Sequence, residues 1–433
     1  MPQLCPFRAV RYVPEVAGPI ELQVSEPYDK VSPAMRRAYL ARSPHNIVRL
    51  ILPEDEGQPG DPYEQAAARY RAWRERGVLG LEPGPELLWY EQTFTLGSRS
   101  YTRRALFAVV EADDYGEGKV LPHERTYRKY KEERLRLLEA MRAEAGVVFL
   151  LYRDEDGVVP QRCAAATTGR VPIFDFETPD GIRHRLWRVD EPATIAAVRE
   201  RLAARSCVIA DGHHRYETAV TFRRRHEAAG DMRPSYRYRL CALVEVSDPG
   251  LLVLATHRVL PELDLDTVIE RAGGRFSIET LPDPAQPEVL EARLEALASE
   301  GPGSWLATDG QRVVRFALDP ALDLDTELAD LVPPARRLDV SILHELLLER
   351  AVGLRTGEGG VRPWYTRTVA EALERLDERY RVAFLLRPTP AQAVIEVAHA
   401  GGTMPQKSTD FYPKFPSGLV IYDLEEQGHG FDA

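Results

Sequence analysis

CVIADGHHRYETA, residues 207–219, passes from an apolar strand to a helix with only Asp211 and Gly212 between them. Residues 207–210 form the unbroken apolar run of a buried strand. The helix is expected to open at His213 or His214 and to reach about Ala229. Working outward, a helix is expected near 192–205, and YRYRLCALVEV and LLVLATHRVL read as strands. LLWYEQTFTL and YTRRALFAVVE flank Gly97-Ser98 as a β-hairpin. A charged helix covers about 131–144, and VVFLLYR is a strand before the turn at 154–157. Ser32-Pro33 opens a helix through Arg42, and Asp61-Pro62, with Glu64 behind it, opens one that ends at Gly77. HNIVRLILPE, residues 45–54, reads as a buried strand. Helices and strands are interleaved without the regular spacing of βαβ units, which predicts an α+β fold.

After Pro261 the texture changes to Pro/Asp-rich stretches and helices, with strands expected at 304–308, 312–317 and 381–386. The expected organisation is a catalytic domain over 1–260, a C-terminal α/β unit over 261–400, and a tail strap over 401–433 that packs back on the body. The tail holds MPQKSTDFYPKFPSG, too rich in proline for a helix. With 433 residues the chain can bury more than one core. Its net charge of −11 argues against a nucleic-acid or membrane-surface binder. No apolar run reaches the ~20 residues of a membrane span, and the opening MPQLCPFRAVRYVP lacks the order of a signal peptide. The four cysteines are scattered, so a reduced, cytoplasmic protein is expected.

The chemistry concentrates in a few segments. In the first, a helix start with Gly212, His213, His214 and Arg215 suits an anion: first-turn N–H groups carry a positive dipole end, and Arg offers a fork matched to phosphate oxygens. Asp211 could cap the helix, hold a metal or take a proton. The competing reading is an ordinary capped helix with surface histidines. His213 and Glu217 share a helical face, but no third zinc ligand accompanies them; magnesium held by a carboxylate and a substrate phosphate fits better.

The second segment, VLPHERTYRKYKEER (residues 120–134), places His123 beside Glu124 for acid–base chemistry or metal binding, unless Thr126 merely caps the next helix. The third, SEPYDKVS (residues 25–32), sets Glu26 and Asp29 on either side of Pro27-Tyr28; paired carboxylates can bind magnesium or act as a base, and are also common turn residues. In the tail, Lys407, Ser408, Thr409 and Lys414 sit among Phe411, Tyr412 and Phe415, where lysine could hold phosphate and the rings could stack or pack. The KST triplet lacks the glycines of a P-loop. His226, on a basic helix face, is expected in solvent, and His257 falls at a strand end. Neither a GxSxG elbow nor a GxGxxG after a strand is present, which counts against a serine hydrolase or a Rossmann dehydrogenase.

Taken in order, PFRAVRYVPE, PYDKVS, HNIVRLILPE, DPYEQAAARYRAWRERGVL, YTRRALFAVV, LPHERT, ADGHHRYETA, SDPGLLVLATHRVL and MPQKSTDFYPKFPSGLV resemble a bacterial and archaeal family known as a domain of unknown function, number one-zero-one-five. The resemblance runs nearly end to end, with Ser25-Glu26 where Ala-Pro would precede PYD. DGHHR also resembles the phosphate-binding loop of the ParB/sulfiredoxin-like superfamily and of archaeal free-serine kinases. That resemblance implies a ParB/sulfiredoxin-like mixed core elaborated with extra helices and strands. It implies a small-molecule kinase that uses ATP or ADP and Mg and phosphorylates a hydroxyl-bearing metabolite, free L-serine being the example. On that reading Gly212, His213, His214, Arg215, Lys407, Ser408 and Thr409 hold the nucleotide's phosphates. Asp211, Glu124 and His123 do the acid–base work, with Asp211 and Glu124 on the metal, and Tyr28, Asp29 and Glu26 meet the acceptor. A nucleotide hydrolase, another transferase, or a non-catalytic nucleotide switch would use the same loop.

Overall fold

The computed structural model describes residues 3–54, 60–124, 129–356 and 360–427. The chain divides into two units. One comprises Met1–Leu121, Tyr127–Leu251 and Pro413–Ala433, the other Pro122–Thr126 and Leu252–Tyr412. Thr126, and the cap expected of it, lies outside the described residues. The architecture is α+β, with strands gathered in several sheets rather than one doubly wound sheet.

In the first unit the hairpin lies at the heart of the main sheet. Leu87–Leu96 and Arg99–Glu111 pair antiparallel from Leu88↔Phe107 to Leu96↔Arg99. The two-residue turn is possible because Gly97 takes φ +60° without a Cβ to object. Tyr238–Glu245 pairs antiparallel with the long arm of the hairpin and parallel with Val148–Tyr152. Cys207–Asp211 then lies antiparallel to Val148–Tyr152, and Val120–Leu121 pairs parallel with it. On the other side, Arg183–Val189 and Phe174–Glu177 extend the sheet. Its core joins Leu106, Val148, Leu150, Ile209, Tyr216 and Leu243, all but inaccessible. Burying such side chains contributes roughly 1.5–3 kcal/mol each.

The charged helix runs Lys129–Met141. It stops because Arg142 adopts φ +52°, after which Ala143–Glu144 becomes a strand paired with Ile421–Asp423 of the tail. The tail is non-helical, as its prolines require. HNIVRLILPE is corrected from strand to helix: Val48–Ile51 forms a single helical turn. The Asn46 carboxamide explains it. Its Oδ1 accepts from Val48 N at 3.0 Å, while Nδ2 donates to Leu22 O at 2.7 Å and Val24 O at 3.1 Å. The burial was legible, but an unbroken apolar run shows neither the strand nor the helix period. His226 is likewise not solvated as expected. Its ring packs 4.3 Å from Phe222, and Nε2 lies 2.6 Å from Arg142 Nη1 and 3.0 Å from Glu139 Oε2.

The second unit holds a six-stranded sheet, antiparallel throughout, in the order Phe276–Leu281, Val313–Leu318, Ser304–Thr308, Tyr380–Leu385, His257–Pro261 and Trp364–Thr366. Val259, Leu306 and Ala383 of this sheet pack on Leu290, Leu294 and Val369 of its helices. All four cysteines are buried and free, and burial pushes the Cys207 thiol up to about 12, so it is inert. No helix among the described residues is long and apolar enough to cross a membrane.

Candidate functional site

The strand Cys207–Asp211 does not run straight into its helix. Its register with Val148–Tyr152 slips between Ile209 and Asp211, an irregularity of the kind that re-aims a side chain at the end of a strand. Gly212 follows with φ +92°, and the helix His213–Ala228 starts without a side-chain cap. Glycine is favoured there because the conformation is left-handed, and a Cβ would also press to 3.1 Å of the Arg215 guanidinium, which would have to shift. Tyr216 pins the helix to the loop after strand Arg99–Glu111, its hydroxyl donating to Asp113 O at 2.7 Å and accepting from Asp113 N at 3.0 Å. His213 is buried and His214 half-buried.

Arg215, buried, donates to Asp211 Oδ2 at 2.8 Å and to Val147 O. The tail residue brought to this loop is Lys414, whose Nζ stands 3.5 Å from Asp211 Oδ1. Its backbone is held by Gln92, which donates to Lys414 O at 2.8 Å, and by Arg103, which donates to Pro413 O at 2.6 Å. Arg103 in turn lies 4.2 Å over the Phe415 ring, fixing the aromatic part of the tail.

Beside Arg215 is a cavity of about 70 Å³ whose wall includes Tyr28, Arg134, Arg239, Glu144, Thr218 and Ser417. This is room for one phosphoryl- or carboxylate-sized group, not for a whole nucleotide. Its lining carries three arginines against one carboxylate. Arg134 sits 4.2 Å over the Tyr28 ring and donates to Ile51 O at 2.6 Å. Arg239 pairs with Glu144, and burial pulls its guanidinium down to about 9. Burial also raises the Tyr28 hydroxyl, so it remains a neutral donor at pH 7. The turn carrying Tyr28 is joined to the tail by the bridge between Ser25 and Ser417, with Ser417 N donating to Ser25 O at 2.8 Å. Glu26 donates its backbone N–H to Tyr39 Oη at 3.2 Å, and Asp29 is exposed.

Of the residues singled out from sequence, the first unit therefore brings Tyr28 and Arg215 to one cavity and places Asp211 and Gly212 at its loop. His123, Glu124, Lys407, Ser408 and Thr409 belong to the second unit. There His123 Nε2 meets Thr409 Oγ1 at 2.9 Å, and Glu124 pairs in parallel with Met404. Buried Arg258 donates to Lys407 O and to His344 Nε2, both at 2.9 Å. Lys407 takes φ +53°, and Ser408 O accepts from Thr389 Oγ1 at 2.9 Å. Arg134 and Arg239 were missed from sequence. Arg239 did leave a signal, an arginine inside an otherwise apolar strand that ends on Glu245; Arg134 was one of two arginines on a charged helix.

Magnesium was expected on Asp211 and Glu124. Both Asp211 oxygens instead face cations, and among the described residues no group of three or more His, Cys, Asp and Glu side chains gathers. The described side chains thus build no magnesium cage by themselves.

Several solved structures resemble the chain. A free serine kinase mutant in complex with ADP matches at 13% identity and a TM-score of 0.37, covering 74% of this chain and 93% of that one. A conserved hypothetical protein from Pyrococcus furiosus matches at 14% and 0.35, covering 74% and 97%. A C-terminally truncated SbnI from Staphylococcus aureus matches at 10% and 0.37, covering 74% and 89%. At these values the likeness transfers no activity. No curated protein matches the sequence. The family described as "Protein of unknown function (DUF1015)" matches residues 4–341, and the chain belongs to that family.

Proposed function

We propose that the first unit binds the phosphate of a nucleotide and that the protein is a small-molecule kinase, passing a phosphoryl group to a hydroxyl acceptor such as free L-serine. One observation carries this reading: Arg134, Arg215 and Arg239 converge with Tyr28 on a phosphate-sized cavity beside the start of a long helix. Arg215 already pairs with Asp211 and Arg239 with Glu144, so among the described residues the excess of guanidinium rests on Arg134, and an anion in the cavity would offset it. Arg is suited to the task, since its planar fork grips two phosphate oxygens at once. Phosphoryl transfer asks the protein mainly to neutralise charge and align the acceptor.

In this reading Arg215 is the principal phosphate ligand, with Gly212, His213 and His214 at the helix start around it. Tyr28 adds a neutral hydroxyl donor. Asp211, engaged by Arg215 and Lys414, positions those two cations. The second-unit residues His123, Glu124, Lys407, Ser408 and Thr409 are assigned no step, and none is routed through magnesium.

The test is purified full-length protein with Mg-ATP and a panel of hydroxy amino acids and sugars. The expected result is ADP formed in proportion to acceptor, with a phosphorylated acceptor by mass spectrometry. Phosphate released without acceptor would point to a nucleotide hydrolase on the same loop. Absence of both nucleotide binding and turnover would refute the reading.

A further inference from the structure

The second unit contains a larger feature that the phosphate reading does not use, a half-open cleft of about 820 Å³. That lies within the ~300–1,000 Å³ typical of small-molecule sites. Its floor is apolar, with Leu254, Leu294, Leu338, Val369 and Leu386. Two polar side chains in it are buried: Thr389, whose hydroxyl donates to Ser408 O, and His257, 2% exposed.

The protonation of His257 follows from its surroundings. Leu386 N donates to its Nδ1 at 3.2 Å, so that nitrogen is the acceptor. Burial, and then the neighbouring Arg258, push the imidazole down to about 4, so the ring is neutral at pH 7. The single ring proton must then sit on Nε2. Among the described residues Nε2 meets no acceptor, and it is not among the atoms sealed from solvent, so it is a donor open to the cleft.

The charges around the cleft say what kind of acceptor fits. Arg387 pairs with Asp339 at 2.9 Å, Arg337 with Asp325 at 3.1 Å, and Arg367 with Asp410. Glu291 and Glu295 stand exposed at the edge. Each of the three lining arginines thus already has a carboxylate partner among the described residues, which disfavours an anion there.

We propose that this cleft is a ligand site for an uncharged small molecule with an apolar body and one carbonyl or hydroxyl oxygen that accepts from His257 Nε2. The apolar body covers the leucines, and the oxygen accepts from Nε2. The site is independent of the phosphate reading and stands or falls without it.

Benzamide is a suitable probe, with benzoate and benzylammonium as charged counterparts of the same size and toluene as the body alone. The readouts are binding to the full-length protein and the His257 resonances in long-range imidazole 1H–15N spectra. Benzamide should bind saturably and shift the His257 Nε2 signal, and each charged counterpart should bind at least tenfold more weakly. His257→Phe should weaken benzamide roughly three- to tenfold, the loss of one neutral hydrogen bond, without weakening toluene. Ala255→Trp, which fills the cleft from a half-buried wall position, should abolish binding of both while leaving the thermal unfolding midpoint within a few degrees. No saturable benzamide binding, equal affinity for benzoate, or binding that survives Ala255→Trp in folded protein would each overturn the proposal.

Discussion

Replacing Arg215 by Ala removes the fork that joins Val147 O to Asp211 Oδ2 at the edge of the first unit's cavity. Two effects follow and can be measured apart. A hydrogen bond to a charged group contributes roughly 1.5–3 kcal/mol. Asp211 is partly solvated and keeps Lys414, so its share of the loss is discounted. The stability loss should therefore be about 2 kcal/mol, read as a lower urea midpoint with unchanged slope. The ligand effect is separate: a bound phosphate loses one charge-assisted donor, again roughly 1.5–3 kcal/mol. At about 1.4 kcal/mol per decade, affinity should fall about 10- to 100-fold. Calorimetric titration with ATP and with inorganic phosphate, at fixed ionic strength and well below the unfolding midpoint, measures this. Arg215→Lys retains the charge without the fork and should recover part of the affinity. If folded Arg215→Ala binds both ligands as tightly as the parent, Arg215 is only a structural brace and the phosphate site is elsewhere.

Three further outcomes are expected. Gly212→Ala places a Cβ in a left-handed residue and 3.1 Å from the Arg215 guanidinium; it should cost about 1–2 kcal/mol in urea unfolding and weaken ATP binding as well. Tyr216→Phe leaves both the N–H and the C=O of Asp113 without their partner; stability should fall by about 2 kcal/mol while phosphate affinity of the folded fraction holds. His184 carries a pH dependence. Burial pushes it from the ordinary 6.5 down to about 4, and its ring nitrogens meet Tyr90 Oη and Thr178 Oγ1. As pH falls the unfolded chain takes up the proton first, so this stability is complete above pH 6.5 and is lost between 6.5 and 4. The slope is about 1.4 kcal/mol per pH unit, roughly 3 kcal/mol in total. Urea midpoints across that range should decline less steeply in His184→Asn; identical slopes would show that the imidazole is not held neutral.

Legibility differed by element. The caps at Ser32 and Asp61 were readable because capping is local: Ser32 Oγ accepts from Met35 N at 3.2 Å and Asp61 Oδ1 from Tyr63 N at 3.1 Å. The hairpin was readable because its Gly97-Ser98 turn and its two β-rich arms lie side by side in the chain. Val48–Ile51 was not, because its conformation depends on Asn46 bonding to carbonyls at Leu22 and Val24, far away in sequence. Lys414 was visible in the tail, yet nothing local indicates that it reaches Asp211.

From its residues alone this chain declares an α+β fold, a strand–Gly–helix loop carrying Arg215, and a tail that cannot be helical. These follow from periodicity, capping and the special backbone freedom of glycine and proline, all of which act over a few residues. Which arginines share a cavity is another matter. Arg134 on a helix, Arg215 at a loop and Arg239 in a strand meet only because the sheet order and the packing of Lys129–Met141 and His213–Ala228 bring them together. Long-range burial decided that, and with it which of the chain's many arginines face one small cavity.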